Sequence, residues 1–182
     1  GTPRPHQMSQ LLLRNRQRAR TLHATALRRL LTTLLADLLG LDSWELGVHL
    51  VNDAEMTRLN ERFLRHAGTT DVIAFNHADA TVPLPRSEPR AALYGELFVC
   101  VPEALRQARR FRTHWTRELA RYIVHGTLHL LGYDDATPAA RRRMKREEDR
   151  LLRALARHVS RLRTRSKPTR RPKTRTRLSG AR

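Results

Sequence analysis

Residues 122–135 read Tyr122-Ile-Val-His-Gly-Thr-Leu-His-Leu-Leu-Gly-Tyr-Asp-Asp135, and the fold turns on how this stretch is read. His125 and His129 lie four apart in an apolar run, so on a helix their imidazoles stand on one face about a turn from each other. At that spacing two imidazoles can share one metal ion. Gly132 stops the helix, because glycine takes the left-handed conformation of a helix end without a Cβ penalty. The chain can then turn back and bring a carboxylate, Asp135 or Asp134, toward the same ion. Two imidazoles and a third ligand leave coordination positions open, which is the arrangement for activating water. Histidines at i, i+4 also arise by chance on many helices; the Gly-Tyr-Asp-Asp stop and the apolar flanks set this pair apart.

Outward from this helix, the chain divides into short regular elements. Thr116 is the expected N-cap, with Glu118 in the first turn, so the helix is predicted over 116–131. Strands are predicted at 10–18, 46–52, 71–76 and 94–101; in the second, Leu46, Val48 and Leu50 alternate toward one face. Helices are predicted at 21–40, 53–64 and 102–111, and Pro138 opens a last one that ends near 158. Residues 77–92 hold Pro83, Pro85 and Pro89 without periodicity and read as a long loop. Strands and helices mix without a strict βαβ repeat, which points to an α+β fold.

At 182 residues the chain suits one domain with a full core. No run approaches the roughly 18 uninterrupted apolar residues of a membrane helix. Cys100 is the only cysteine, within Leu97-Phe-Val-Cys-Val101, so a disulfide framework is excluded and a small core residue is expected. Lysine and arginine total 36 against 17 acidic residues, and after Asp149 there is no acidic residue at all. Residues 159–182 combine basic residues, proline and threonine with few apolar ones, so they read as a disordered tail. Such a tail binds phosphate backbones through counterion release without reading sequence. Residues 1–9 read as a flexible N-terminus. The first 36 residues also lack acids, as an organellar leader would. The leucines of 27–38 are spaced for a helix of the domain, however, and a bacterial-type cytoplasmic location is expected.

The stretch 125–135 resembles the signature of the YbeY family of rRNA maturation endoribonucleases, His-Gly-x-Leu-His-x-x-Gly-Tyr-Asp-His, at ten of eleven positions. The likeness extends to Val51-Asn-Asp-Ala-Glu-Met56 with Leu59-Asn60, to Thr70-Asp71-Val-Ile-Ala-Phe75, to Gly95-Glu-Leu-Phe-Val99, and to Met144 with Glu147-Glu148. The resemblance implies a small mixed β-sheet of about four strands packed with about five helices in a single domain over 10–158. It implies a zincin-like metal helix and one Zn2+ per chain held by His125, His129 and Asp135. It further implies a metal-activated water attacking single-stranded RNA, maturation of the 16S rRNA 3′ end, ribosome quality control, and the small ribosomal subunit and its proteins as partners.

Two positions depart from the family. Asp135 stands where the third histidine is expected, which cuts the site's net charge by one and admits another divalent metal. Leu64 stands where the family has an active-site arginine; Arg65 and His66, one and two residues later, are the candidates to contact a phosphate in its place. Asp71 and Asp134 are candidates for orienting a ligand histidine, and Asp71 is equally a turn-capping residue. Two rival functions follow. A metallopeptidase needs a glutamate after the first histidine, where Gly126 stands. A non-catalytic ribosome-assembly or RNA-binding factor with a structural metal agrees with both departures.

Overall fold

The computed structural model describes residues 9–65, 67–77 and 92–163. Among these residues four strands form one sheet: β1 (Gln10–Asn15), β2 (Ser43–Val51), β3 (Val72–Asn76) and β4 (Ala92–Cys100). The spatial order is β1-β2-β4-β3, with β1, β2 and β4 mutually parallel and β3 antiparallel to β4. The sheet is therefore mixed, and with its helices it makes the α+β domain expected. Leu46, Val48, Leu50, Leu97 and Val99 point into the main core and are at most 2% exposed. The opposite face carries a smaller cluster of Val51, Met56, Ile73 and Cys100.

Among the described residues six helices pack with the sheet: α1 (Ala24–Thr32), α2 (Asp53–Leu59), α3 (Val101–Phe111), α4 (Trp115–Leu130), α5 (Pro138–Ala154) and α6 (Ala156–Arg161). α1 and α2 each run on into a wider π turn, Thr33–Leu38 and Asn60–Leu64. Leu39 N–H, for example, reaches back to Leu34 O at 3.0 Å. Helical periodicity predicted these helices over 21–40 and 53–64, but it cannot register a local change of pitch.

Other boundaries shift for identifiable reasons. α4 begins at Trp115, and its N-cap is His114, not Thr116: the His114 Nδ1 accepts from Thr116 N at 3.3 Å. An unprotonated ring nitrogen serves as acceptor, and burial holds His114 below the ordinary imidazole range. The final helix breaks at Leu155 and resumes as α6 to Arg161. Leu162 is fully buried and Leu22 bridges Arg163, so packed structure runs past the expected limit at 158. Of the expected tail, residues 164–182 lie outside the described residues, as do residues 1–8 and positions 78–91 of the long loop. Among the described residues no helix is long and apolar enough to cross a membrane.

α4 crosses the β3–β4 half of the sheet, and Gly126 is what lets it come close. A Cβ there would stand 2.8 Å from Leu97 Cδ2 and 3.0 Å from Val72 Cγ2. Position 126 therefore faces the sheet and cannot present a general base to the histidines, which removes the metallopeptidase reading on geometric grounds.

Candidate metal centre

With Gly126 and Ile123 turned to the sheet, His125 and His129 are carried on the outer flank of α4, half-buried. The helix ends in a Schellman turn: Tyr133 N–H donates to Leu128 O at 3.0 Å and Gly132 N–H to His129 O at 2.9 Å. Gly132 takes φ 83°, the left-handed conformation this turn requires. The turn folds the Tyr133 carbonyl back to 3.1 Å from His129 Nδ1. It also returns the chain so that His125, His129 and Asp135 each offer a ligand atom within 4.8 Å of the others. Asp134 does not join them; its Oδ1 accepts from Ala136 N at 2.8 Å and closes a local turn.

The tautomers follow from the partners. His125 Nδ1 lies 3.1 Å from Glu148 Oε2, and His129 Nδ1 faces a carbonyl. A carboxylate and a carbonyl only accept, so each Nδ1 carries the proton and each Nε2 is left with a bare lone pair. Those two Nε2 atoms face each other at 3.1 Å. Two lone pairs at that distance repel unless a cation, a proton or a metal, sits against both. The exposed Asp135 carboxylate adds negative charge at the same point. This donor set fits a divalent metal of the zinc type, with nitrogen and oxygen ligands oriented by acceptors behind the rings.

Glu148 is the residue that the sequence placed only in the last helix, without a role. It lies on the buried stripe of α5 with Ala140, Met144 and Leu151, so helical spacing alone would have turned it inward. An acid on a buried stripe is the signal. Its Oε1 meets Arg121 at 3.2 Å and Lys145 at 3.4 Å. Burial pushes the Glu148 carboxyl up, but the His125 hydrogen bond and the charges of Lys145, His125 and Arg121 outweigh it and hold the group below the ordinary range. In return, the hydrogen bond to Glu148 raises His125 against the effect of burial, helped by the charges of Glu148, Asp71 and Asp135.

The remaining candidates are less tightly tied to the pair. Asp71 Oδ1 accepts from Val72 N at 2.8 Å and from Thr70 Oγ1 at 3.2 Å, both sequence neighbours, and its charge still reaches His125. Arg65 is exposed and left-handed, φ 55°, at the end of the wide turn of α2; the hydrogen bonds and ion pairs around His125 and His129 do not include it. His66 lies outside the described residues.

Comparison with known proteins adds to this geometry. The family model for endoribonuclease YbeY matches residues 12–156. An endoribonuclease YbeY of Salinibacter ruber is 34% identical over 137 residues, 75% of this chain and 86% of the relative. One from Chlorobium phaeovibrioides is 41% identical over 105 residues, 58% of this chain, and one from Gloeobacter violaceus is 42% identical over 123 residues, 66% of this chain. The matched stretch spans 64% and 62% of those two relatives, a little under two thirds. A Thermotoga maritima protein solved in solution is similar in fold, with TM-score 0.55 at 22% identity, covering 89% of this chain and 100% of that one.

Proposed function

Because this chain belongs to the endoribonuclease YbeY family, we propose that it is a zinc-dependent endoribonuclease that hydrolyses single-stranded RNA. Maturation of the 16S rRNA 3′ end and ribosome quality control are its setting, with the small ribosomal subunit as partner. The observation that carries the reading is the approach of His125 Nε2 and His129 Nε2 to 3.1 Å beside Asp135. Zinc held there supplies Lewis acidity, which lowers the pKa of water toward ~7 and offsets charge on a phosphoryl oxygen.

The chain's own residues set up that chemistry. Glu148 keeps the proton on His125 Nδ1, and the Tyr133 carbonyl keeps it on His129 Nδ1, so both Nε2 atoms stay available. Asp135 supplies an anionic third ligand from an exposed position, leaving room for substrate on its side. Arg65, on its exposed turn, is proposed to meet a backbone phosphate.

The non-catalytic assembly factor is favoured by one observation, the absence of Arg65 from the contacts around the histidines. The two readings part in an RNase assay on one preparation. Wild-type protein with zinc nicks single-stranded RNA and His129→Ala does not. Asp135→His keeps or raises the rate, since a neutral imidazole leaves the site one charge more positive and water there more acidic. Equal cleavage by His129→Ala and wild type would place the activity elsewhere.

A further inference from the structure

Beside the histidines, α4 borders a cleft of about 790 Å³ walled by α3 and by the segment that leads into β3. Glu118 and Tyr122 line it from the same face of α4 that carries His125 and His129, at steps of four, three and four residues. The near wall of this cleft, at Tyr122, therefore lies about one helical turn, ~5 Å along α4, from His125. Three features describe what fits. Asp71, Glu103 and Glu118 stand on the walls with Arg117 and Arg121; Glu103 is engaged by Arg106 and Gln107, and Glu118 by Thr113 and Arg121, so the acceptor the cleft offers to an N–H group is chiefly Asp71, which uses only Oδ1 for Val72 and Thr70. Phe111, at the rim, is 60% exposed, with the Arg110 guanidinium 5.5 Å from its ring centroid.

The third feature is Tyr122. The residue is 4% exposed, yet its hydroxyl has no hydrogen-bond partner among the described residues. A buried hydroxyl left unpaired is costly and uncommon, and a ligand atom in the cleft would satisfy it. Burial also raises the Tyr122 pKa far above neutrality, so the group remains an O–H donor.

From these features we infer that the cleft receives one unpaired nucleobase of the RNA bound at the histidines. The base stacks on Phe111, accepts a hydrogen bond from the Tyr122 hydroxyl, and turns an amino or imino N–H group to Asp71. Single-stranded RNA is recognised in this way, by splayed bases stacked on aromatic rings and hydrogen-bonded along their edges. The inference rests on the RNA-cleaving reading above, and it predicts a base preference at one position, which phosphate contacts alone do not produce.

The test is fluorescence anisotropy with a labelled RNA hexamer and six versions of it, each carrying one abasic nucleotide. Wild-type protein, Phe111→Ala and Tyr122→Phe are compared, all checked for unchanged melting. In the wild type one abasic position weakens binding about tenfold, the scale of a lost base–aromatic stack. In both variants that penalty shrinks to about threefold or less. A penalty that survives intact in either variant, or an equal response at every position, would overturn the base pocket while leaving RNA binding in place. Failure of the wild type to bind the intact hexamer at all would remove the RNA reading and the pocket together.

Discussion

α4 and the widened end of α2 both close on a left-handed residue, and the two turns are otherwise unlike. At Gly132 the conformation carries little steric cost, and each polar group nearby has an assigned partner: Leu128 O, His129 O and the His129 ring. At Arg65 the same region of backbone space is held by a residue with a Cβ, at roughly 1–2 kcal/mol. Phe63 and Leu64 beside it are 50% and 46% exposed. The first turn is built inward and sets the Tyr133 carbonyl against the His129 ring. The second combines a left-handed residue with exposed apolar side chains, and the role proposed for it is contact with RNA.

The largest expected effect comes from removing an orienting group on the inward side. Glu148→Gln should weaken zinc binding 10–100-fold, the scale for a lost acceptor behind a ligand imidazole. Its pH dependence sharpens the point. His125 is raised in the folded metal-free protein, so its stabilising contribution is complete below the ordinary imidazole value of 6.5 and fades as pH rises through the raised one. Glu148 is lowered, so its contribution is present above 4.5 and fades as pH falls through the lowered value. The metal-free pair is thus most stabilising between those limits. Zinc must displace the proton from His125 Nε2, so zinc affinity in the wild type should begin to fall at a higher pH than in Glu148→Gln. Calorimetric titrations across pH 5–9 would show whether the two curves separate; superimposed curves would mean that Glu148 is only a packing residue.

A smaller effect is expected at the outward turn. Arg65→Gly should raise stability by up to ~1 kcal/mol, since glycine accepts φ 55° without the Cβ penalty. RNA affinity should drop at the same time. Thermal melts and anisotropy on one sample decide it: a stabilised variant with undiminished RNA affinity would make this turn merely strained, and the contrast with Gly132 would lose its functional content.

The smallest effect on the fold belongs to the basic C-terminal segment. Deleting 164–182 while retaining buried Leu162 and the bridge at Arg163 should change stability by less than ~0.5 kcal/mol. It should lower RNA affinity and flatten the dependence of log affinity on log salt. An unchanged slope would show that phosphate contacts come from the domain alone.

What could be read ahead of the structure follows a physical line. His125 and His129 were legible because a helix turns a spacing of four into a shared face whatever packs around it. β2 was legible through the alternation of Leu46, Val48 and Leu50. The choice between Asp134 and Asp135 was not decided by spacing, because both follow the same glycine. What separates them is a backbone hydrogen bond, Ala136 N to Asp134, that exists only once the turn has formed. The role of Glu148 depends on α5 docking against α4, a contact between residues 23 positions apart. The π turns and the His114 cap depend on local pitch and side-chain geometry, which apolar periodicity does not encode.

The most direct measurement is zinc content per chain after loading with zinc and exhaustive dialysis, for wild type, Asp135→Ala and the double variant His125→Ala/His129→Ala. Far-UV circular dichroism on the same samples confirms that each is folded. One zinc per wild-type chain is expected, a partial content for Asp135→Ala, and none for the double variant. Stoichiometric zinc in the folded double variant, or none in the wild type, would contradict it.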